Sequence, residues 1–216
     1  MRLESLPIDE ALPALKAALA GAPNAVLVAP PGAGKTTRAP LALMEEPWVG
    51  ERKIIMLEPR RLAARAAANR MAQSLGERVG ETIGLRVRAE TKVSAKTRIE
   101  VVTEGVFTRL ILDDLELGGI AAVLFDEQHE RSLDSDLALA LTLDAQAGLR
   151  ADLRILPMSA TLDGARVAKL LGEARIVESQ GRAFPVETKY RGRDPQRRIE
   201  DEMTDAILAA LRSEEG

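Results

Sequence analysis

The chain has no cysteine, a single histidine, and aromatic side chains at only 2% of its 216 positions. Without cysteine it has no disulfide, no thiolate zinc ribbon and no thiol nucleophile. One histidine excludes a histidine-built metal cluster. The scarcity of Phe, Tyr and Trp leaves the core to Leu, Val, Ile and Ala within a 46% hydrophobic content. Long apolar runs are missing too: none approaches the ~20 residues of a membrane-spanning helix. Charge comes early in Met1–Asp9, and the Ala-rich stretch Ala11–Ala22 is interrupted by Pro13, so no signal peptide is expected. A net charge of −3 argues against binding nucleic acid through bulk positive charge and leaves any such contact to local arginine clusters. These absences describe a soluble, cytoplasmic-type chain of one large domain, or at most two small ones.

Short apolar runs rich in β-branched residues alternate with longer stretches of helical period. The runs predict strands at Ala25–Ala29, Lys53–Glu58, Arg98–Thr103, Ala121–Asp126, Leu153–Met158, Arg175–Glu178 and Val186–Tyr190. Most are apolar throughout, as in parallel strands covered on both faces. Helices are predicted at Lys35–Glu46, Leu62–Leu75, Glu104–Asp113, Ser135–Ala147 and Gly164–Leu171. Gly76, Gly148 and Gly172 stand just past three of them, where a C-terminal cap favours positive φ. The alternation is that of an α/β fold with a mostly parallel sheet and helices on both faces. From Pro195 onward, Ile199, Met203, Ile207, Leu208 and Leu211 share one face of a last, amphipathic helix.

Two strings carry chemistry. Ala29-Pro30-Pro31-Gly32-Ala33-Gly34-Lys35-Thr36 follows a predicted strand and opens a predicted helix, the context of a phosphate-binding loop, with Ala29 in place of the motif's first glycine. Gly32 and Gly34 let backbone N–H groups curl around phosphate oxygens. Pro31, Gly32, Ala33, Gly34, Lys35, Thr36 and Thr37 form the candidate cradle for a nucleoside triphosphate. Lys35 would reach the β- and γ-phosphates, and the Thr36 hydroxyl would be a ligand of Mg2+. Pro40 removes one backbone bond to the Thr36 carbonyl and kinks the helix locally. Some ninety residues further on, Asp126 and Glu127 end an apolar run, on the edge where α/β sheets bind ligands. Asp126 would hold Mg2+ through water, and Glu127 would orient and deprotonate the attacking water.

Other strings narrow the class. Leu57-Glu58-Pro59-Arg60-Arg61, Thr103-Glu104-Gly105, Asp126-Glu127-Gln128-His129-Glu130-Arg131-Ser132 and Met158-Ser159-Ala160-Thr161-Leu162 each end a predicted strand. Singly they are uninformative; in this order and spacing the set resembles the first RecA-like lobe of superfamily 2 helicases, specifically the DEAH-box (DExH) RNA helicases. The runs Pro59-Arg60-Arg61-Leu62-Ala63-Ala64 and Glu130-Arg131-Ser132-Leu133 bring it close to the bacterial HrpB-type members.

The resemblance covers roughly Asn24 to Gly192 and implies ATP-driven movement on single-stranded RNA. It implies that Arg60 and Thr103 touch the RNA backbone, that Ser159 and Thr161 couple the two sites, and that His129 senses the γ-phosphate. It also implies that Arg70 stacks on the adenine. Residues 1–192 would be the first helicase domain, and 193–216 a helix leading toward a second RecA-like lobe. Two features depart from the pattern: Gln128 stands where the family name has Ala, and the second lobe, source of the arginine fingers, is absent from the chain. The expectation is half a motor that binds nucleotide and turns it over poorly. Another P-loop NTPase, or a nucleotide-gated RNA-binding module without catalysis, explains part of the pattern but fewer of its strings.

Overall fold

The structure, a computed structural model, describes residues 5–160, 164–180 and 188–213. The chain divides into two units, Met1–Arg182 and Ala183–Gly216. The first carries strands β1 (Ala25–Val28), β2 (Lys53–Glu58), β3 (Ile83–Val87), β4 (Glu90–Lys92), β5 (Ile99–Thr103), β6 (Ile120–Phe125), β7 (Arg154–Ser159) and β8 (Arg175–Glu178). They form one sheet in the order β4-β3-β5-β2-β6-β7-β1-β8. Every pairing is parallel except β3 with β4, at the edge.

Helices cover both faces, which is why the central strands read as unbroken apolar runs. Alternate residues of β1 and β2 point to opposite sides. Leu27, Ile54 and Met56 join Leu15 and Leu19 of α1 (Leu12–Gly21), Leu43 of α2 (Lys35–Met44) and Met71 of α3 (Arg61–Leu75). Val26, Ile55 and Leu57 pack with Phe107 of α4 (Glu104–Asp113), Leu139 of α5 (Leu133–Gly148) and Ala168 of α6 (Gly164–Leu170). Trp48 packs at the margin of the first layer, and the layer of Val26 and Ile55 holds one aromatic pair, Phe107 edge-on to Phe125 with centroids 6.2 Å apart. That contact adds about 1 kcal/mol to the area the two rings bury. Alanines at 64, 67, 68 and 72 let α3 lie close on the sheet.

The predicted strands at 25–29, 53–58, 98–103, 121–126, 153–158 and 175–178 all form, with ends moved by at most one residue. Four features differ from the sequence reading. The stretch interrupted by Pro13 is helix α1, because proline in a first turn forfeits no hydrogen bond. The β3–β4 hairpin is an additional edge. Gly148 is the last residue of α5 and not a left-handed cap, whereas Gly76 (φ 73°) and Gly172 (φ 76°) do adopt positive φ. Of the strand expected at Val186–Tyr190, Thr188–Tyr190 is not a strand and the remainder lies outside the described residues. In the second unit the helix is α7, Ile199–Ser213. Among the described residues no helix is long and apolar enough to cross a membrane.

Candidate active site

The loop between β1 and α2 is fixed from both sides. Ala29 donates its N–H to the Ser159 carbonyl (3.0 Å), and Ile8 donates to the Ala33 carbonyl (3.1 Å). Gly34 has φ 97°, and a Cβ there would lie 2.6 Å from Leu6 Cδ1 and 3.2 Å from Ile8 Cγ2, so any other residue would be strained in its backbone and crowd the side chains beside it. Gly32 is also left-handed, at φ 79°. Helix α2 starts at Lys35: Thr37 and Arg38 donate to the Gly34 carbonyl (3.2 and 2.9 Å), and the amides of Lys35 and Thr36 stand ahead of that first helical bond, where an anion site forms. Pro31, Ala33 and Thr37 complete the curve. Pro40 sits inside α2 without ending it.

Residues far apart in sequence converge here. The Thr36 hydroxyl donates to Asp126 Oδ2 at 2.5 Å, and Lys35 Nζ lies 2.7 Å from Glu127 Oε1 and 3.7 Å from Asp126 Oδ1. Lys35 and Asp126 are buried, while Glu127 keeps about a quarter of its side chain exposed. The lysine assigned to phosphate and the carboxylate assigned to water are therefore paired with one another. Beside them a cavity of about 380 Å3 is walled by Thr37, Glu58, Arg60, Ala67, Arg70 and Glu130. Arg70, the residue assigned to the base, thus shares a cavity with Thr36 and Asp126.

Glu58 is the residue that sequence reasoning missed. It ends β2, is 2% exposed, and sits against Asp126. Burial, then the charge of Asp126 and a hydrogen bond with it, push the Glu58 carboxyl up to about 9. Burial also raises Asp126, although Lys35 and the Thr36 hydroxyl pull it down. The signal was available: Glu58 is a carboxylate at the end of an apolar strand, as Asp126 is, and β2 pairs with β6.

An all-oxygen donor set of one hydroxyl and crowded carboxyls suits a hard divalent cation, whose charge would offset the burial and repulsion that raise Glu58 and Asp126. No three described His, Asp or Glu side chains are arranged to hold a metal by themselves. Mg2+ keeps waters and phosphate oxygens in its shell. Thr36 and Asp126 would hold it, and when bound it would neutralise charge on the phosphates.

The turn after β6 carries the rest. Glu127 (φ 52°) and Arg131 (φ 49°) are left-handed without being glycine, a strain on the order of 1 kcal/mol each. His129 Nδ1 lies 3.3 Å from Glu127 Oε2 and 3.4 Å from the Ala160 amide nitrogen, so the histidine stands between the acidic pair and the end of β7. Ser159, the last residue of β7, is buried; Thr161 lies outside the described residues. Arg60 is exposed and paired with Glu130 Oε1 at 2.7 Å. Thr103 lines a separate cavity of about 680 Å3 with Arg86, Arg88 and Arg109, so the two residues assigned to RNA do not share one pocket.

Residues 10–170 match the model of the DEAD/DEAH box helicase family. The chain is 52% identical to the ATP-dependent RNA helicase HrpB of Escherichia coli over 99% of its own length and 26% of that protein. To the E. coli ATP-dependent RNA helicase HrpA it is 35% identical, over 87% of this chain and 14% of that protein. The crystal structure of E. coli DEAH/RHA helicase HrpB superposes with a TM-score of 0.92, covering 98% of this chain and 27% of that one. The chain thus spans about a quarter or less of the relatives it matches. With the phosphate loop, the acidic pair and the ends of β2, β5, β6 and β7 on one edge of the sheet, the chain belongs to the DEAD/DEAH box helicase family.

Proposed function

We propose that this chain is the ATP-binding RecA-like lobe of a cytoplasmic RNA helicase, using Mg2+ and ATP to drive movement on single-stranded RNA. The convergence of Lys35 and Thr36 on Asp126 and Glu127, at 2.5–2.7 Å across ninety residues of sequence, carries the reading. In it Lys35 holds the β- and γ-phosphates, Glu127 orients and deprotonates water once released from Lys35, and Arg70 stacks on the base. His129 reports the state of the γ-phosphate to its neighbours, and Ser159 with Thr161 passes that state toward the RNA. Arg60 and Thr103 contact RNA phosphates at the ends of neighbouring strands β2 and β5. The similarity to HrpB and HrpA, both ATP-dependent RNA helicases, supports RNA as the polymer. Residues 1–192 form the first helicase domain in this reading, 193–216 lead toward a second lobe, and the arginine fingers come from that lobe.

The test is ATP binding and steady-state hydrolysis by this chain, with and without single-stranded RNA, beside a Glu127→Gln control. Tight ATP binding with slow turnover is expected. Failure to bind ATP overturns the reading, and fast RNA-stimulated turnover by the chain alone overturns its half-motor part.

A further inference from the structure

Gln128 lies between two site residues and is itself buried, 3% exposed. Its amide reaches across to the start of α5: Ser135 Oγ donates to Gln128 Oε1 at 3.1 Å, and Gln128 Nε2 donates to Asp136 Oδ1 at 3.4 Å. The carboxylate of Asp136 can only accept, which settles which end of the amide is nitrogen. Asp136 also holds Arg131 at the far end of the turn, through Nη2 at 2.8 Å and Nε at 3.1 Å. Ser132 caps α5 by accepting from the Ser135 amide (2.9 Å) and donates to Glu104 Oε2 (2.8 Å).

The turn is therefore tied to α5, while toward β7 and α6 it borders a small cavity of about 30 Å3 beside Ser159 and Gly164. Within the turn the Glu127 amide donates to Asp126 Oδ1 and the Glu130 amide to the Glu127 carbonyl, each at 2.9 Å, beside two left-handed residues.

We propose that Gln128 is a positioning residue whose amide anchors the Glu127–His129 turn to the N-terminus of α5 and so holds the His129 ring between Glu127 and the Ala160 amide. A buried amide has to find hydrogen-bond partners. Here both partners sit on the helix that follows the turn, and the same carboxylate grips the turn's other end. A side chain without donor and acceptor at position 128 leaves Ser135 and Asp136 without these bonds and frees the ring to move into the space beside β7. The inference rests on placing Glu127 and His129 at the nucleotide site, but its readout needs neither nucleotide nor turnover.

His129 is the only histidine, so a 15N-histidine spectrum of the chain reports one imidazole. Gln128→Met, of similar length and without the amide, is expected to shift or broaden that signal. Ser135→Ala should move it in the same direction by less, and the double variant should move it no further than Gln128→Met. Thr142→Ala removes a buried hydroxyl from the same helix, bonded to the Ala138 carbonyl, and should lower the thermal midpoint while leaving the ring signal in place. A wild-type ring signal in Gln128→Met, whatever its Tm, would overturn the proposal. Should that variant not fold, an unchanged ring in Ser135→Ala overturns it equally. Loss of the ATP-site reading shows separately, as ATP affinity that survives Lys35→Ala.

Discussion

Glu58 and Gly34 show how single side chains set the terms of this site. The Glu58 carboxyl stays protonated up to about 9 in the folded chain, against an ordinary value of 4.5. Between those values the folded state holds a proton that the unfolded chain has released, so this group's stabilising contribution is complete below about 4.5 and declines as pH rises to about 9. The slope is at most about 1.4 kcal/mol per pH unit for one proton. Glu58→Gln keeps the shape and cannot ionise. Its Tm should therefore exceed that of wild type increasingly between pH 5 and pH 9, in nucleotide-free protein followed by thermal melts. Equal pH profiles would mean that Glu58 is not held neutral. Gly34→Ala meets both a positive φ and the Leu6 side chain. A loss of roughly 1–2 kcal/mol from the backbone alone is expected, with further loss from the contact, and ATP affinity should fall with it. Both outcomes are read from a denaturant melt and an ATP titration.

At the scale of elements, the strand ends divide the work. Arg60 stands at the end of β2 and Thr103 at the end of β5, each opening the helix that follows. The ion pair of Arg60 with Glu130 is exposed and worth little, so RNA phosphate can replace the carboxylate at small cost. Arg60→Ala should weaken RNA binding and reduce the slope of log affinity against log salt by about 1. Glu130→Gln, which removes the competitor, should strengthen binding. Titrations across a salt series decide, and a slope unmoved by Arg60→Ala returns the arginine to a structural role.

Elements also differ in how far the sequence disclosed them. Strands β1, β2, β5, β6 and β7 were legible because burial on both faces demands unbroken apolar runs. The β3–β4 hairpin was not: Gly84 is present because Thr97 Cγ2 would lie 2.7 Å from a Cβ there, and Arg86 is paired with Glu100. Both look like weak strand residues until their neighbours are known. Helix α1 was hidden by Pro13, whose effect depends on which turn it occupies.

At the scale of the whole molecule, the groups proposed to bind phosphate and metal lie together on one edge of one sheet. On the proposed reading, the arginines that stabilise the transferring phosphoryl group belong to a second lobe, and their absence costs a factor on the order of 10³ or more. Joining this chain to such a lobe should raise kcat by about that factor, with a smaller change in ATP affinity; single-turnover hydrolysis measures it, and no gain would contradict the half-motor reading. The sequence by itself determined the phosphate loop, the acidic pair and the alternation that builds the sheet, because each rests on short-range chemistry: glycines that turn, a lysine and threonine beside them, carboxylates closing an apolar run. Only the tertiary structure decided that Glu58 keeps its proton, that Lys35 and Glu127 are paired, and that Gln128 reaches α5. Those properties depend on distance and burial between groups that the chain brings together only by folding.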